Sequence, residues 1–465
     1  MRKIIMMFAA LALLAACNSN TPEGENWKVV DGMIEFDVPA AEAGQQDMLG
    51  FAAEPIDTVR VAFVGLGARG SGAVERYTYI DGVKIVALCD KYPEKVEEQQ
   101  KVLADAGLPA AASYSGEDGW KEMFERDDID LVYICTNWQM HVPMAIYAME
   151  HGKHVACEVP IAYTVEDCWK LVNTSEKTRK HCMMLENCVY DFFEMTALNM
   201  AQQGLFGEVI HTEGAYIHNL EPFWDRYADN WRMEFNQANG GDVYPTHGFG
   251  PCCNVLNIHR GDKLDYLVSM STPSYNGKAR AEEKMGVDSY ACGDHQVTLI
   301  MTEKGKCMEV QHNVYTPRPY NRMYQITGTE GFANKYPTQG ITLRNKNISD
   351  AVRCGHESID EHSFVPDDVF QAIMDEYQHP IHKEIGEVAK KVGGHGGMDF
   401  VMDYRLIYCL RHGYPLDEDV YDAAEWCCVG ELSAVSEANG SMPVRVPDFT
   451  RGNWNKLDGL KFWHE

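Results

Sequence analysis

The stretch "RVAFVGLGARGSG", residues 60–72, decides the fold. It is an apolar run that breaks into glycines, and the expected helix starts where it breaks. Gly65 permits a tight turn, Gly67 lets the backbone approach a pyrophosphate, and Gly70 lets the helix pack closely on the strand. Twenty residues after Gly70, Asp90 ends a second apolar run, "KIVALCD" (84–90). A carboxylate there bonds ribose hydroxyls and repels a 2′-phosphate, so the expected cofactor is NAD rather than NADP.

The text on either side supports this reading. "DLVYICT" (130–136), "HVACE" (154–158) and "CMMLENCV" (182–189) read as three more strands. "PEKVEEQQKVLADAG" (93–107), "HVPMAIYAMEHG" (141–152) and "TVEDCWKLVNTSEKTRK" (164–180) read as helices. The last of these opens on a capping box, Thr164 with Asp167. Continuous apolar strands alternating with helices mean a parallel sheet covered on both faces, an α/β Rossmann domain over residues 58–187. Past residue 190 the rhythm changes. "GEVIHTEGAYIH" (207–218), "DYLVSMST" (265–272), "HQVTLIMTEKGKCMEVQHNV" (295–314) and "NRMYQITGTEG" (321–331) alternate with period two. They predict an α+β domain over 188–465 with a largely antiparallel open sheet. An open sheet of this kind also makes a homodimer the expected assembly.

The net charge of −28 excludes nucleic acid as a partner and a hold on anionic lipid through basic patches. Arg2 and Lys3 precede an apolar run, residues 4–16, too short to span a bilayer. The run ends in "LLAAC" (13–17), followed by "NSN". This resembles a bacterial lipoprotein signal, which implies cleavage before Cys17, its lipidation, and an exported protein held to the membrane by that anchor alone. A plain secretory signal is the alternative. Residues 17–57 are polar and read as a tether. Of the fifteen cysteines, those such as Cys89 and Cys135 sit in apolar text and read as small buried hydrophobes. The chain has no paired CxxC set and no HExxH, which points away from a metal.

Loops at the carboxyl ends of parallel strands face the ligand crevice. In "CTNWQMH" (135–141), Asn137, Trp138 and His141 are therefore candidates to line the nicotinamide half. The alternative is that Trp138 packs under the loop and His141 caps the next helix. In "CEVPIA" (157–162), Glu158 is expected to face the nicotinamide ribose. At this point the chain resembles the Gfo/Idh/MocA oxidoreductases, which carry E-K-P here. Val159 stands in place of the lysine that contacts the reacting hydroxyl in dehydrogenases of that family.

"GLGARG", "TNWQMH", "EVP", "ENCVYDFFE", "GAYIHNL", "NWRM", "GGDVYPTHGFGP", "YQITGTEGF" and "GHGGMDF", in that order, are together similar to glycoside hydrolase family 109, the NAD-dependent bacterial α-N-acetylgalactosaminidases. The resemblance implies cofactor contacts at Ala68, Arg69, Asp90, Trp138, Gln139, Met140, His141, Glu158, Val159 and Asn187. It implies sugar contacts at Tyr216, Arg232, Tyr244, Pro245, Thr246, His247 and Tyr324, with Tyr244 touching both ligands. Tyr320 lies close to Tyr324 in the sequence.

The chemistry implied is oxidation at C3 of the sugar, loss of the C2 proton, elimination of the aglycone from C1, addition of water, and re-reduction. It requires a base with a pKa near operating pH. His247 and Tyr216 are the candidates, with Tyr244 next. Arg232 suits sugar hydroxyls or an acetamido oxygen, and equally a surface salt bridge. His395 in "GHGGMDF" either approaches the site or belongs to a Gly-rich turn. Two other readings stay open: an exported NAD-dependent sugar oxidoreductase, and a sugar-binding lipoprotein without activity.

Overall fold

The computed structural model describes residues 26–464. Cys17, the apolar run before it and the first part of the expected tether lie outside the described residues. The rest of that tether is not featureless. Residues 27–36 form a hairpin of β1 (Trp27–Val30) and β2 (Met33–Phe36), paired Trp27 to Phe36. Asp31 and Gly32 both have positive φ (51° and 83°), the condition of a tight two-residue hairpin turn. Trp27, Ile34 and Phe36 are buried, so the hairpin belongs to a sheet. The Asp-Gly pair between apolar runs was its signal.

The first domain is built on β3 (Val59–Val64), β4 (Val83–Asp90), β5 (Ala112–Ser115), β6 (Leu131–Ile134), β7 (His154–Cys157) and β8 (Cys182–Met184). All pair in parallel, in the order β5-β4-β3-β6-β7-β8. The order reverses between β3 and β6, which opens a crevice at the carboxyl ends of the strands. Five of these strands follow the expected apolar runs. β5, from "ASYS", lacks the branched residues that would have marked it.

The second domain adds β9 (Val209–Ile217), β10 (Leu264–Ser271), β11 (Gln296–Thr302), β12 (Cys307–Asn313), β13 (Asn321–Gly328), β14 (Gly331–Asn334), β15 (Gly340–Leu343) and β16 (Val444–Arg445). With the hairpin they make a ten-stranded sheet in the order β1-β2-β16-β10-β11-β12-β9-β13-β14-β15. Its pairs are antiparallel except β12 with β9 and β16 with β2. The helix Val420–Ala438 packs on β10 and on the helix Val165–Thr178, and so ties the two domains together.

One close approach sets the site. A Cβ on Gly214 would lie 2.1 Å from the carbonyl of Gly248, and one on Gly248 would lie 2.1 Å from the amide nitrogen of Ala215. Only paired glycines let the helix Thr246–Leu256 rest directly on the backbone of β9. That contact brings the ring of His247, near the helix start, to 5.3 Å from the ring of Tyr216. The fourteen cysteines of the described residues are all free thiols, most of them buried, as their apolar surroundings imply.

Candidate functional site

The glycines of the opening motif divide their roles. A Cβ on Gly70 would fall 1.9 Å from the Gly65 carbonyl, and one on Gly65 would fall 2.5 Å from the Cys135 carbonyl. Both pack backbone on backbone. A Cβ on Gly67 would meet nothing within 4 Å. Gly67 and Ala68 are exposed at the start of the helix Ala68–Tyr77, where amide N–H groups attract phosphate. Asp90 accepts hydrogen bonds from the amides of Leu66 (2.5 Å, to Oδ2) and Tyr92 (2.9 Å, to Oδ1). Each oxygen keeps a lone pair for a ribose hydroxyl. The amide oxygen of Asn137, at the carboxyl end of β6, is buried and without a partner. An open cradle, an acid at the end of β4 and an unsatisfied polar atom at the nicotinamide end fit a dinucleotide.

Between cradle and sugar lies an ion-pair cluster. Arg69 reaches Glu158 at 2.7 Å and Asp399 at 3.0 Å. Asn187 donates to Asp399 (2.5 Å), and His395 lies 2.9 Å from the same carboxylate. Burial alone would raise the Asp399 carboxyl; the charges of Arg69, His395 and Arg76 outweigh it and hold Asp399 far below the usual range. Val159 is buried, ahead of Pro160. Trp138 packs 5.0 Å from Phe235 and 5.6 Å from Tyr244, while Gln139 is exposed and Met140 half-buried.

His141 departs from expectation. Its ring nitrogens lie against the carbonyls of Pro160 (2.8 Å) and Thr136 (3.1 Å), and it is buried. It ties the loop after β6 to the segment after β7 and presents no free nitrogen to a cofactor.

At the sugar end, Tyr216, Tyr244 and His247 form one aromatic group, with Tyr216 and Tyr244 rings 4.4 Å apart. Nδ1 of His247 lies 2.7 Å from the wholly buried carboxylate of Glu186, and Nε2 lies 3.3 Å from the Tyr244 hydroxyl. Burial opposes ionisation of Glu186, but the charge and hydrogen bond of His247 outweigh it and keep the carboxyl below its ordinary value. Burial pushes the Tyr216 phenol up to about 12 against the lowering charge of Arg232. Tyr244 is raised further, again by burial. The Tyr216 hydroxyl is hydrogen-bonded to Nδ1 of His218 (2.9 Å). Burial, then the charges of Arg232, His247 and His395, lower His218 to about 4, so it stays neutral.

Arg232 is not a surface ion-pair residue. It is buried, donates to the Tyr227 hydroxyl (2.7 Å), and lies over the rings of Trp138 and Tyr244 at 4.8 and 4.9 Å. It forms no ion pair with a carboxylate among the described residues, and its Nε has no partner.

Pro245 and Thr246 are buried at the start of the helix that carries His247. One expected sugar contact stands elsewhere. Tyr324 points away: its hydroxyl donates to the Glu194 carbonyl (3.3 Å) and its ring packs near Phe193. Tyr320 is the tyrosine at the opening, 41% exposed and edge-on to His218 at 5.1 Å. Glu186, His218 and Asp399 were not anticipated. The signal for His218 was its place two residues after Tyr216 in β9; for Glu186, its place at the carboxyl end of β8 beside Asn187.

Residues 59–186 match the model of the oxidoreductase family NAD-binding Rossmann fold, and residues 190–456 match that of the glycosyl hydrolase 109 C-terminal domain. The chain belongs to glycosyl hydrolase family 109. Among family 109 relatives, "Glycosyl hydrolase family 109 protein 1" of Bacteroides fragilis is 61% identical over 431 residues, 92% of this chain and 93% of that one. The protein of the same name from Bacteroides thetaiotaomicron is 57% identical over 464 residues, 99% of each chain. The family 109 chain shares its fold with levoglucosan dehydrogenase, solved with NADH and L-sorbose, at 17% identity and TM-score 0.63, over 84% of this chain and 100% of that one. An NAD-binding oxidoreductase from Klebsiella pneumoniae is similar at 16% identity and TM-score 0.62, over 84% of this chain and all of the other. The chain is thus a glycoside hydrolase of family 109 with an NAD-binding Rossmann domain, although its neighbours in fold are dehydrogenases.

Proposed function

We propose that this protein hydrolyses terminal α-linked N-acetylgalactosamine by transient oxidation at C3. The observation that supports this most is the Glu186–His247 pair, set against Tyr244 and Tyr216 beside the dinucleotide cradle. NAD, held by the Gly67 loop, Asp90 and Glu158, supplies the reversible oxidation at C3. The resulting ketone acidifies the proton on C2. His247 removes that proton, because burial keeps both tyrosines protonated and a neutral imidazole offers a ring nitrogen that accepts. Glu186 holds the proton of neutral His247 on Nδ1, which leaves Nε2 as the accepting atom. Arg232, with its unpartnered Nε, donates to an acceptor oxygen of the sugar. The enolate left at C2–C3 expels the aglycone from C1 as its electron pair forms the C1=C2 bond, water adds across that bond, and C3 is restored.

Lipidation at Cys17 and export belong to the same proposal, as does a homodimer through the open sheet. β11 turns Val297, Leu299 and Met301 outward, and Leu299 is exposed. A strand that shows its apolar side to solvent suits an interface.

Purified protein from residue 18 onward, given 4-nitrophenyl α-N-acetylgalactosaminide, tests the reading. It should release nitrophenol with no net NADH and take up deuterium from D₂O at C2. NADH accumulating with free sugars would replace it with a sugar oxidoreductase.

A further inference from the structure

Oxidation of an alcohol removes two hydrogens, one as hydride and one as a proton. The hydride of C3 goes to the bound nicotinamide, and the O3 proton needs a path of its own. The residues at the nicotinamide end offer none. Val159 is apolar, both ring nitrogens of His141 lie against carbonyls, and the Glu158 carboxylate is paired with Arg69. His247 takes the C2 proton, and its Nε2 faces the Tyr244 hydroxyl. Of the two tyrosines, Tyr244 is thus tied to the base already in use, while Tyr216 is tied to a second histidine.

Tyr216 lies in β9, and His218 directly follows the strand, its amide still donating to the Asn313 carbonyl (2.9 Å). Residues two apart along a strand share a face. The Tyr216 hydroxyl therefore reaches Nδ1 of His218 at 2.9 Å. Burial keeps the proton on Tyr216, and burial with the charge of Arg232 keeps His218 neutral. So the hydroxyl donates, Nδ1 accepts, and the imidazole proton sits on Nε2. Nε2 makes no hydrogen bond among the described residues. His218 is half-buried, and its ring meets that of Tyr320, the tyrosine at the opening, edge-on at 5.1 Å. Arg232, 6.0 Å over the Tyr216 ring, can only donate, and its charge favours negative charge on the phenol oxygen. A buried hydroxyl, an imidazole and the opening thus follow one another.

We propose that Tyr216 and His218 form a proton relay that carries the O3 proton between the sugar and solvent, an assignment that rests on the glycosidase reading above. As the C3–H electron pair leaves as hydride, the O3–H pair becomes the second C3–O bond. The O3 proton passes to the Tyr216 oxygen, the Tyr216 proton to Nδ1 of His218, and the proton on Nε2 to water. Tyr216 gives up one proton as it gains another, so its burial does not forbid the step. Re-reduction of C3 runs the same transfers backward, and one turnover leaves the imidazole as it began. His218 acts through Tyr216 and does not touch the sugar.

A sugar already oxidised at C3 has no O3 proton to lose, and this separates a relay from packing. His218→Gln keeps an acceptor for the Tyr216 hydroxyl but cannot pass a proton on. Its rate on 4-nitrophenyl α-N-acetylgalactosaminide should fall about 100-fold, the ordinary contribution of a positioned proton-transfer group. The isotope effect of deuterium at C3 should rise in the variant, as hydride transfer becomes limiting. On the 3-keto form of the same glycoside, nitrophenol release should match that of the natural protein. His218→Phe should behave alike on both. Nitrogen NMR of the natural protein without sugar should show His218 protonated on Nε2. Equal losses on the two glycosides, a natural rate for His218→Gln on the unoxidised one, or a proton on Nδ1 would overturn the relay and leave His218 a residue that only positions Tyr216. If the natural protein releases nitrophenol from neither glycoside, the glycosidase reading itself fails.

Discussion

The wholly buried carboxylate of Glu186 lies 2.7 Å from Nδ1 of His247, and the opposite nitrogen of that ring faces the Tyr244 hydroxyl at 3.3 Å. An acid on one edge of an imidazole decides which edge works as a base. Glu186→Gln keeps the shape and loses the charge. It should lower kcat about 100-fold with little change in KM, because the orienting partner acts on the base rather than on sugar binding. Steady-state rates on the nitrophenyl glycoside check this; an equal rise in KM would mean that Glu186 only shapes the pocket.

Tyr320 and Tyr324 separate recognition from packing. Tyr320→Ala should raise KM about ten-fold, since an exposed ring at the opening meets the sugar or its aglycone. Tyr324→Phe removes a hydroxyl bound to the Glu194 carbonyl and should cost about 1 kcal/mol of stability with KM unchanged. Kinetics and thermal melts of the two variants test the assignment. The reverse pattern would restore Tyr324 as the sugar contact.

Asp90 links the Leu66 amide to the cofactor ribose in this reading. Asp90→Ala should release NAD during purification. The measurement is the absorbance of nucleotide freed by denaturing the protein, which should fall well below one equivalent. Full occupancy in the variant would show that the cradle alone suffices.

A buried histidine far from the cleft sets an alkaline limit. His259 lies 2.9 Å from Asp422 and 2.8 Å from Glu425. Burial alone would lower it, but the Asp422 charge and the hydrogen bonds to Asp422 and Glu425 raise it to about 10. A folded pKa above the unfolded one gives stability that is complete below about pH 6.5 and is lost as pH rises through the folded value. Melting temperature should therefore fall between about pH 7 and 10 in the natural protein. In His259→Gln this slope should flatten, from a lower starting Tm.

Leu299→Glu places a charge on the outward face of β11. Sedimentation should show a dimer for the natural chain and a monomer for the variant, with activity retained per active site. A monomer in both would dismiss the open face as an interface.

Much of the first domain was legible because a parallel strand buried on both faces reads as an unbroken apolar run, and the glycine spacing names the turn that follows. β5 escaped because its short, small-residue text has no such run. The hairpin of residues 27–36 was written as Asp-Gly between apolar pairs but is embedded in polar text, and only its burial against β16 makes it a sheet member. His141 and Tyr324 sat where site residues were expected and turned elsewhere, because rotamer and strand register, not position in the chain, choose the face.

The sequence by itself determined the alternation of strands and helices in the first domain, β5 apart, the dinucleotide cradle and the acid that closes it, since these depend on residues near one another in the chain. The tertiary structure alone decided which side chains meet: His247 with Glu186 across 61 positions, His395 with Arg69 across 326. The reason is physical. Local periodicity fixes which face of an element is apolar. A hydrogen bond between buried groups forms only where packing, here two glycines that let a helix lie on a strand, brings backbones to within one side-chain length.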